Sequence, residues 1–282
     1  MNIVKLAAFS DGPNGGNPAG VVVTKDMPST SEMQRMALEV GFSETVFAVP
    51  LDEEAHWRVR YFSPESEVPF CGHATIALGA ALAKEHGPGT YSLVLNDTEI
   101  SVQGVQEGSQ FKAMLQSPRT EHHVLSEFEL AKTLELFGLN QGHLSADIQP
   151  AKIHAGANHY LIPLASRTDL SQMSYDLAKG RSFMNERGVV TVMLVVAESD
   201  DLFHVRNAFA SGGVLEDPAT GAAAAAFAGY LRDSGYAKAG ALTIIQGEDM
   251  GLKSIITAEF TDEAHSSIRV SGATRSMDQK GC

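Results

Sequence analysis

The sequence predicts an α+β fold made of two pseudo-symmetric lobes, each a mixed β-sheet rolled around one central helix. Three observations predict it. Short apolar runs bounded by turn residues alternate with a few helical patterns along all 282 residues. Two of those helical patterns, Cys71–Lys84 and Asp217–Leu231, are apolar on nearly every face, which marks helices buried in a core. The order of elements also repeats. Val59-Arg60-Tyr61-Phe62 precedes the first apolar helix, and Arg206-Asn207-Ala208-Phe209 precedes the second, at an offset of about 147 residues. Before each comes an apolar strand and an acidic turn, Asp52-Glu53-Glu54 and Asp200-Asp201. The lobes are expected at residues 1–117 and 118–282, with the last strand able to return to the first lobe.

Taken in order, Ile3–Phe9 reads as a strand, followed by a glycine-rich turn, Gly12 to Gly20, and a second strand, Val21–Thr24. Ser31–Val40 reads as a helix, because Met33, Met36, Ala37 and Val40 share a face, and Gly41 suits its stop. Thr45–Val49 and Trp57–Phe62 are strands, and Tyr91–Leu95, Ile100–Val105 and Phe111–Gln116 form a meander after the first apolar helix. In the second half, Ser126–Phe137 is helical. Tyr160–Pro163, Val189–Val196 and Phe203–Ala210 are strands before the second apolar helix, and Ala241–Gln246, Lys253–Phe260 and Ile268–Ser271 are strands after it.

The formal net charge of -13 argues against nucleic acid or an anionic membrane as the main partner. Helix-end dipoles leave room for a small anionic ligand. The two cysteines, Cys71 and Cys282, do not make a disulfide framework, so a reducing cytoplasm is expected. The first residues lack the apolar core and cleavage site of a signal peptide, and no apolar run reaches membrane-spanning length.

Four segments carry polar groups suited to chemistry. Gly16-Asn17-Pro18-Ala19-Gly20 has neither the dinucleotide nor the phosphate-loop glycine spacing; it is a strand-connecting turn or a loop presenting Asn17 to a ligand. In Gly41-Phe42-Ser43-Glu44-Thr45, a carboxylate enters an apolar strand. Partial desolvation of Glu44 would suit proton transfer, the alternative being a solvated strand end. Cys71-Gly72-His73-Ala74-Thr75 offers a thiol and an imidazole at a helix start, but spacing supplies no second pair of metal ligands. Glu216-Asp217-Pro218-Ala219-Thr220-Gly221 reads by itself as capping, with Asp217 at N-cap and Pro218 at N1. If the repeat holds, the last two segments are matching helix starts, and two helix N-termini facing one cleft would bind an anion.

Together these segments resemble the PhzF-like branch of the diaminopimelate-epimerase fold, over nearly the whole chain. Asn17-Pro18-Ala19-Gly20, Phe42-Ser43-Glu44-Thr45, Phe62-Ser63-Pro64, Cys71 to Thr75, Glu216 to Gly221 and Gln246 to Gly251 fall in family order and spacing. The absence of a ligand cluster or nucleotide loop in the sequence leads us to expect no metal. The resemblance implies a two-lobed, homodimeric, cofactor-free isomerase with its site in the cleft. It is exemplified by conversion of trans-2,3-dihydro-3-hydroxyanthranilate, in which a glutamate moves a proton between two ring carbons. It implies that Glu44 is that glutamate, that His73 and Asp217 contact polar groups of the substrate, and that Asn17, Ser43, Gly72, Thr220, Gly221 and Ala222 line the binding site. Two departures bear on substrate choice: Ala222 stands where the family usually has serine, and Met250-Gly251-Leu252-Lys253 replaces a usual Gly-Arg-Pro.

The related epimerases use one thiol from each lobe. The position matching Cys71 is read here as Pro218, which disfavours that scheme and favours one carboxylate serving both steps. A one- or two-base amino-acid epimerase using Glu44 or Cys71, and a catalytically silent binding protein, remain the rival readings.

Overall fold

The computed structural model describes residues 2–51, 55–237 and 240–277; the Asp52-Glu53-Glu54 turn and Cys282 lie outside the described residues. The chain divides into two compact units. One takes the residues up to Gln116 together with the segment from Ser271, and the other spans Ser117–Val270.

The first unit contains β1 (Val4–Ala8), β2 (Asn17–Val23), α1 (Thr30–Val40), β3 (Glu44–Pro50), β4 (His56–Phe62), the two-residue β5 (Glu67–Val68), α2 (Gly72–His86), β6 (Gly89–Val94), β7 (Glu99–Glu107) and β8 (Gln110–Gln116). The last strand of the chain, Arg269–Ser276, pairs with both β1 and β8, so eight strands close into a mixed barrel. From the last strand through β1 to β8, the steps are antiparallel except at β2–β3 and β4–β6. α2 packs on β1, β2, β3, β7 and β8, with Ile76, Leu78 and Leu82 fully buried. It can approach β7 closely because Gly79 faces it: a Cβ there would sit 2.5 Å from Val102 Cγ2. α1 is stopped as its sequence predicts. Ser29 caps its start, and Gly41, at φ 70°, ends it in the left-handed conformation.

The second unit contains β9 (Glu121–Val124), α3 (Glu127–Leu136), β10 (Ala151–His154), β11 (Asn158–Pro163), α4 (Arg167–Ser171), α5 (Leu177–Arg187), β12 (Thr191–Ala197), β13 (Leu202–Ala208), the two-residue β14 (Glu216–Asp217), α6 (Gly221–Asp233), β15 (Gly240–Gln246) and β16 (Ser254–Phe260). Its sheet runs β9–β10–β11–β12–β13–β15–β16, parallel only at β11–β12 and β13–β15. From β10 to β16 that is the same alternation of antiparallel and parallel steps as β1–β2–β3–β4–β6–β7. α6 packs on β9, β10, β11 and β16. α5, which hydrophobic periodicity does not reveal, is held by an Asp176 cap, a left-handed Gly188 and the burial of Phe183 and Met184.

The same polar clamp precedes both apolar helices. Arg60 grips Glu67 through Nε (2.8 Å) and Nη2 (2.5 Å), and Arg206 grips Glu216 through Nε (3.1 Å) and Nη2 (2.5 Å). Arg60 also holds the Glu67 carboxyl below the ordinary carboxylate range. Each fork–fork pair fixes a two-residue strand just ahead of a helix, which orients the loop leading into that helix.

Two local expectations are corrected. Asn17–Gly20 belongs to β2 rather than to a turn, because Asn17 is in register with Ala8 of β1. The second apolar helix starts at Gly221, not at Asp217. Asp217 pairs with Asn207 in β14, and Thr220 is the N-cap, so the Asp217–Pro218 capping reading fails.

Candidate active site

In the first unit, the β2–β3 pairing places Glu44 at the first residue of β3, opposite Ala19. α2 begins two residues after Phe70, and its first turn brings His73 to the same place. Glu44 Oε2 and Ser43 Oγ each lie 3.3 Å from His73 Nε2, and Cys71 Sγ lies 3.3 Å from Nδ1. The Glu44 side chain is 15% exposed and that of His73 is 8% exposed. A carboxylate at this depth keeps access to a ligand while losing most of its water, which strengthens its interaction with the imidazole. The imidazole Nε2 faces a carboxylate and a hydroxyl, and the thiol lies beside both ring nitrogens, 3.3 Å from Nδ1 and 3.8 Å from Nε2. Cys71 is the N-cap of α2 but makes no side-chain capping bond. Below them, Tyr61 Oη lies 2.7 Å from Thr75 Oγ1, and Thr75 Oγ1 donates to Cys71 O at 2.7 Å, which anchors the helix start. Burial raises the Tyr61 pKa, so this hydroxyl stays neutral as a structural bond. Gly72 is the first residue of α2, and a Cβ there would meet nothing within 4 Å. Asn17 is buried at the start of β2.

In the second unit, the Asp217–Gly221 segment is held from beneath by Gln246. Its Nε2 donates to Asp217 O (2.7 Å) and Thr220 Oγ1 (3.1 Å), and its Oε1 accepts from Thr220 N–H (3.3 Å). Thr220 Oγ1 donates to Asp217 Oδ2. Gly247, at φ 73°, passes so close to this segment that a Cβ would sit 2.8 Å from Pro218 O. This gives the late Gln246-Gly247 pair a physical role: an amide and a bare backbone that shape the loop ahead of α6. Gly221 and Ala222, both partly exposed, head α6.

The clamps show which residues of the two units correspond. Glu67 leads to Gly72 by the same number of residues as Glu216 to Gly221. Pro69 therefore matches Pro218, Cys71 matches Thr220, and His73 matches Ala222. The reading of Pro218 as the counterpart of Cys71 is corrected. The signal was present as Glu-x-Pro-x-x-Gly-x-Ala, at Glu67–Ala74 and Glu216–Ala223. A matching thiol is still lacking in the second unit, but because that position holds a threonine engaged with Asp217 and Gln246.

Spacing along the chain shows no set of metal ligands, yet two groups of three come together among the described residues: Glu44, Cys71 and His73, and His122, Asp233 and His265. None of the described helices is long and apolar enough to cross a membrane.

Residues 6–278 match the family model of phenazine biosynthesis-like proteins. The chain is 30% identical over 278 residues to trans-2,3-dihydro-3-hydroxyanthranilate isomerase of Pseudomonas chlororaphis, covering 95% of this chain and 93% of that one. Among solved structures, the phenazine biosynthesis protein of the PhzF family from Bacillus anthracis superposes with a TM-score of 0.85 at 22% identity, covering 98% of this chain and 97% of that one. A hydroxyproline epimerase from Agrobacterium vitis superposes with a TM-score of 0.65 at 12% identity, covering 97% and 88%, which extends the likeness of fold to epimerases. The chain belongs to the phenazine biosynthesis-like (PhzF) family, and it is an isomerase.

Proposed function

We propose that this isomerase shifts a proton on a small carboxylate-bearing substrate of the trans-2,3-dihydro-3-hydroxyanthranilate type, with Glu44 as the single acid/base. The observation that carries the reading is the Glu44 carboxylate, mostly buried and 3.3 Å from the His73 imidazole. Glu44 takes a proton from one carbon, the electron pair moves through the adjacent double bond, and Glu44 returns a proton to a second carbon. No redox step and no cofactor enter this balance. His73 orients the carboxylate and meets polar groups on the substrate. The same reading gives substrate contacts to Asn17, Ser43 and Gly72. It assigns Asp217 to a substrate polar group, and Thr220, Gly221 and Ala222, at the start of α6, to the anionic end, where backbone N–H groups and the helix dipole favour negative charge. Each unit is then a lobe rolled around its apolar helix, α2 or α6. A homodimer in the cytoplasm completes the proposal.

The test is NMR of the protein incubated in deuterium oxide with trans-2,3-dihydro-3-hydroxyanthranilate and a panel of cyclic and acyclic carboxylates. A rearranged double bond, or deuterium at either carbon, supports the reading. A melting-temperature shift with neither signal would mean a binding protein.

The Cys71–His73 contact favours one rival, a thiol-based epimerase. The two readings part at Cys71→Ser. With Glu44 as the base, this variant should keep turnover within about tenfold, a loss of about 1.4 kcal/mol of transition-state stabilisation. Complete loss in a folded Cys71→Ser protein would transfer the proton to the thiol.

A further inference from the structure

We propose that His122, Asp233 and His265 form a divalent-metal site of the zinc type at the far end of α6, separate from the isomerase chemistry. Asp233 is the last residue of α6, about 18 Å along the helix axis from Gly221. His122 lies in β9, and His265 lies in the loop between β16 and the last strand, at φ 59°. All three belong to the second unit.

The distances suit a tetrahedral ion. His265 Nδ1 and His122 Nδ1 stand 3.3 Å and 3.8 Å from Asp233 Oδ2. Ligands about 2.05 Å from zinc at tetrahedral angles are about 3.4 Å apart. The three donor atoms all lie within 4.8 Å of one another, so a small turn of the imidazoles closes the set.

A second, independent observation is that donor atoms are left over. Asp233 is 3% exposed as a side chain, and its Oδ2 and the His122 Nδ1 are buried without a hydrogen-bond partner. Buried polar atoms are normally satisfied, and a buried carboxylate oxygen beside two imidazole nitrogens is what a cation between them satisfies. The other carboxylate oxygen is already occupied: Oδ1 accepts from Arg232 Nε at 2.7 Å and from the His265 N–H at 3.3 Å. That leaves Oδ2 as a monodentate ligand.

Arg232 is the frame for the whole set. Besides Asp233, it donates to Thr120 Oγ1 (2.9 Å), two residues before His122, and to Ser266 Oγ (2.8 Å), the residue after His265. Outer contacts of this kind hold ligands in the geometry the ion needs. The negative end of the α6 dipole also favours a cation here. His265 is 56% exposed as a side chain, so the fourth position faces solvent. An ion held this way ties β9, α6 and the loop ahead of the last strand together, which is a structural role.

The experiment is titration of the metal-stripped full-length protein with Zn(II) by calorimetry, and with Co(II) by absorption, against His265→Asn and His122→Gln. Asparagine tolerates the positive φ at 265 but is too short to reach the ion. The expected result is one equivalent bound by the parent, a melting temperature that rises with Zn(II) and falls back with chelator, and loss of both effects in each variant. Co(II) should bind without a thiolate charge-transfer band. Uptake unchanged in both variants, a thiolate band placing the ion at Cys71, or no uptake by the parent would overturn the proposal. None of these readouts depends on turnover, so the proposal stands or falls apart from the role given to Glu44.

Discussion

Glu44→Gln is expected to lower turnover of a confirmed substrate at least about 100-fold, the usual contribution of a general acid–base group, while leaving substrate affinity nearly unchanged. Glutamine has the shape of glutamate and can still hydrogen-bond to the His73 ring 3.3 Å away, so the pocket should persist. What it lacks is a lone pair basic enough to accept a proton from carbon. Because one group makes both transfers in this scheme, no second base can take over half the reaction, and the loss should appear in kcat rather than in KM. Glu44→Asp separates a base from a mere structural partner. It keeps the carboxylate but withdraws it by one methylene from the reacting carbon, so its activity should fall between those of the parent and Glu44→Gln. Turnover surviving in Glu44→Gln, with binding intact, would remove Glu44 from the chemistry.

The position of Glu44 is legible in the sequence for two physical reasons. Gly41 must adopt φ 70°, which ends α1, and the apolar run Val46-Phe47-Ala48-Val49 can only be a buried strand. A carboxylate between those two signals has little choice of place. His73 is less legible, because its partnership with Glu44 depends on how α2 lies against β3, which no spacing rule encodes.

The start of α6 shows the opposite case. Asp217-Pro218 has the composition of a helix start, but a long-range contact overrides that local preference. The Arg206–Glu216 clamp and the Asn207 pairing pull Glu216 and Asp217 into a strand, and helix begins only when the chain is past Thr220. The mismatch of Cys71 with Pro218 has a related origin. A short 3-10 turn, Ala210–Gly212, lies between β13 and β14. An offset read from the strands therefore slips by the time it reaches the helices. The His122–Asp233–His265 group was beyond sequence reasoning altogether, since its members sit on a strand, a helix end and a loop that only the folded second unit gathers.

The second large effect is expected in acid. His159, at the start of β11, is 0% exposed, and burial, with a smaller push from His154, lowers its pKa from 6.5 to about 3. Its Nδ1 lies 2.7 Å from Thr191 Oγ1 in the neighbouring parallel strand, while Nε2 has no hydrogen-bond partner. A proton added at Nε2 would therefore be a buried charge with nothing to receive it. In the unfolded chain the same ring takes up a proton below its ordinary value of 6.5. Between that value and about 3 the unfolded state binds one more proton than the native state, so stability is complete above pH 6.5 and drains away as pH falls. The slope contributed by this one group approaches about 1.4 kcal/mol per pH unit. His159→Asn keeps a polar atom within reach of Thr191 and has nothing to titrate. Urea unfolding at about pH 6.5 and about pH 5 should therefore show a clearly steeper loss in the parent than in the variant, even if the variant starts lower because a smaller side chain leaves space. Most carboxylates stay ionised over that interval, so the difference between the two slopes isolates the imidazole. Equal slopes would mean that His159 is protonated in the folded state, and that the second unit has a partner for its Nε2.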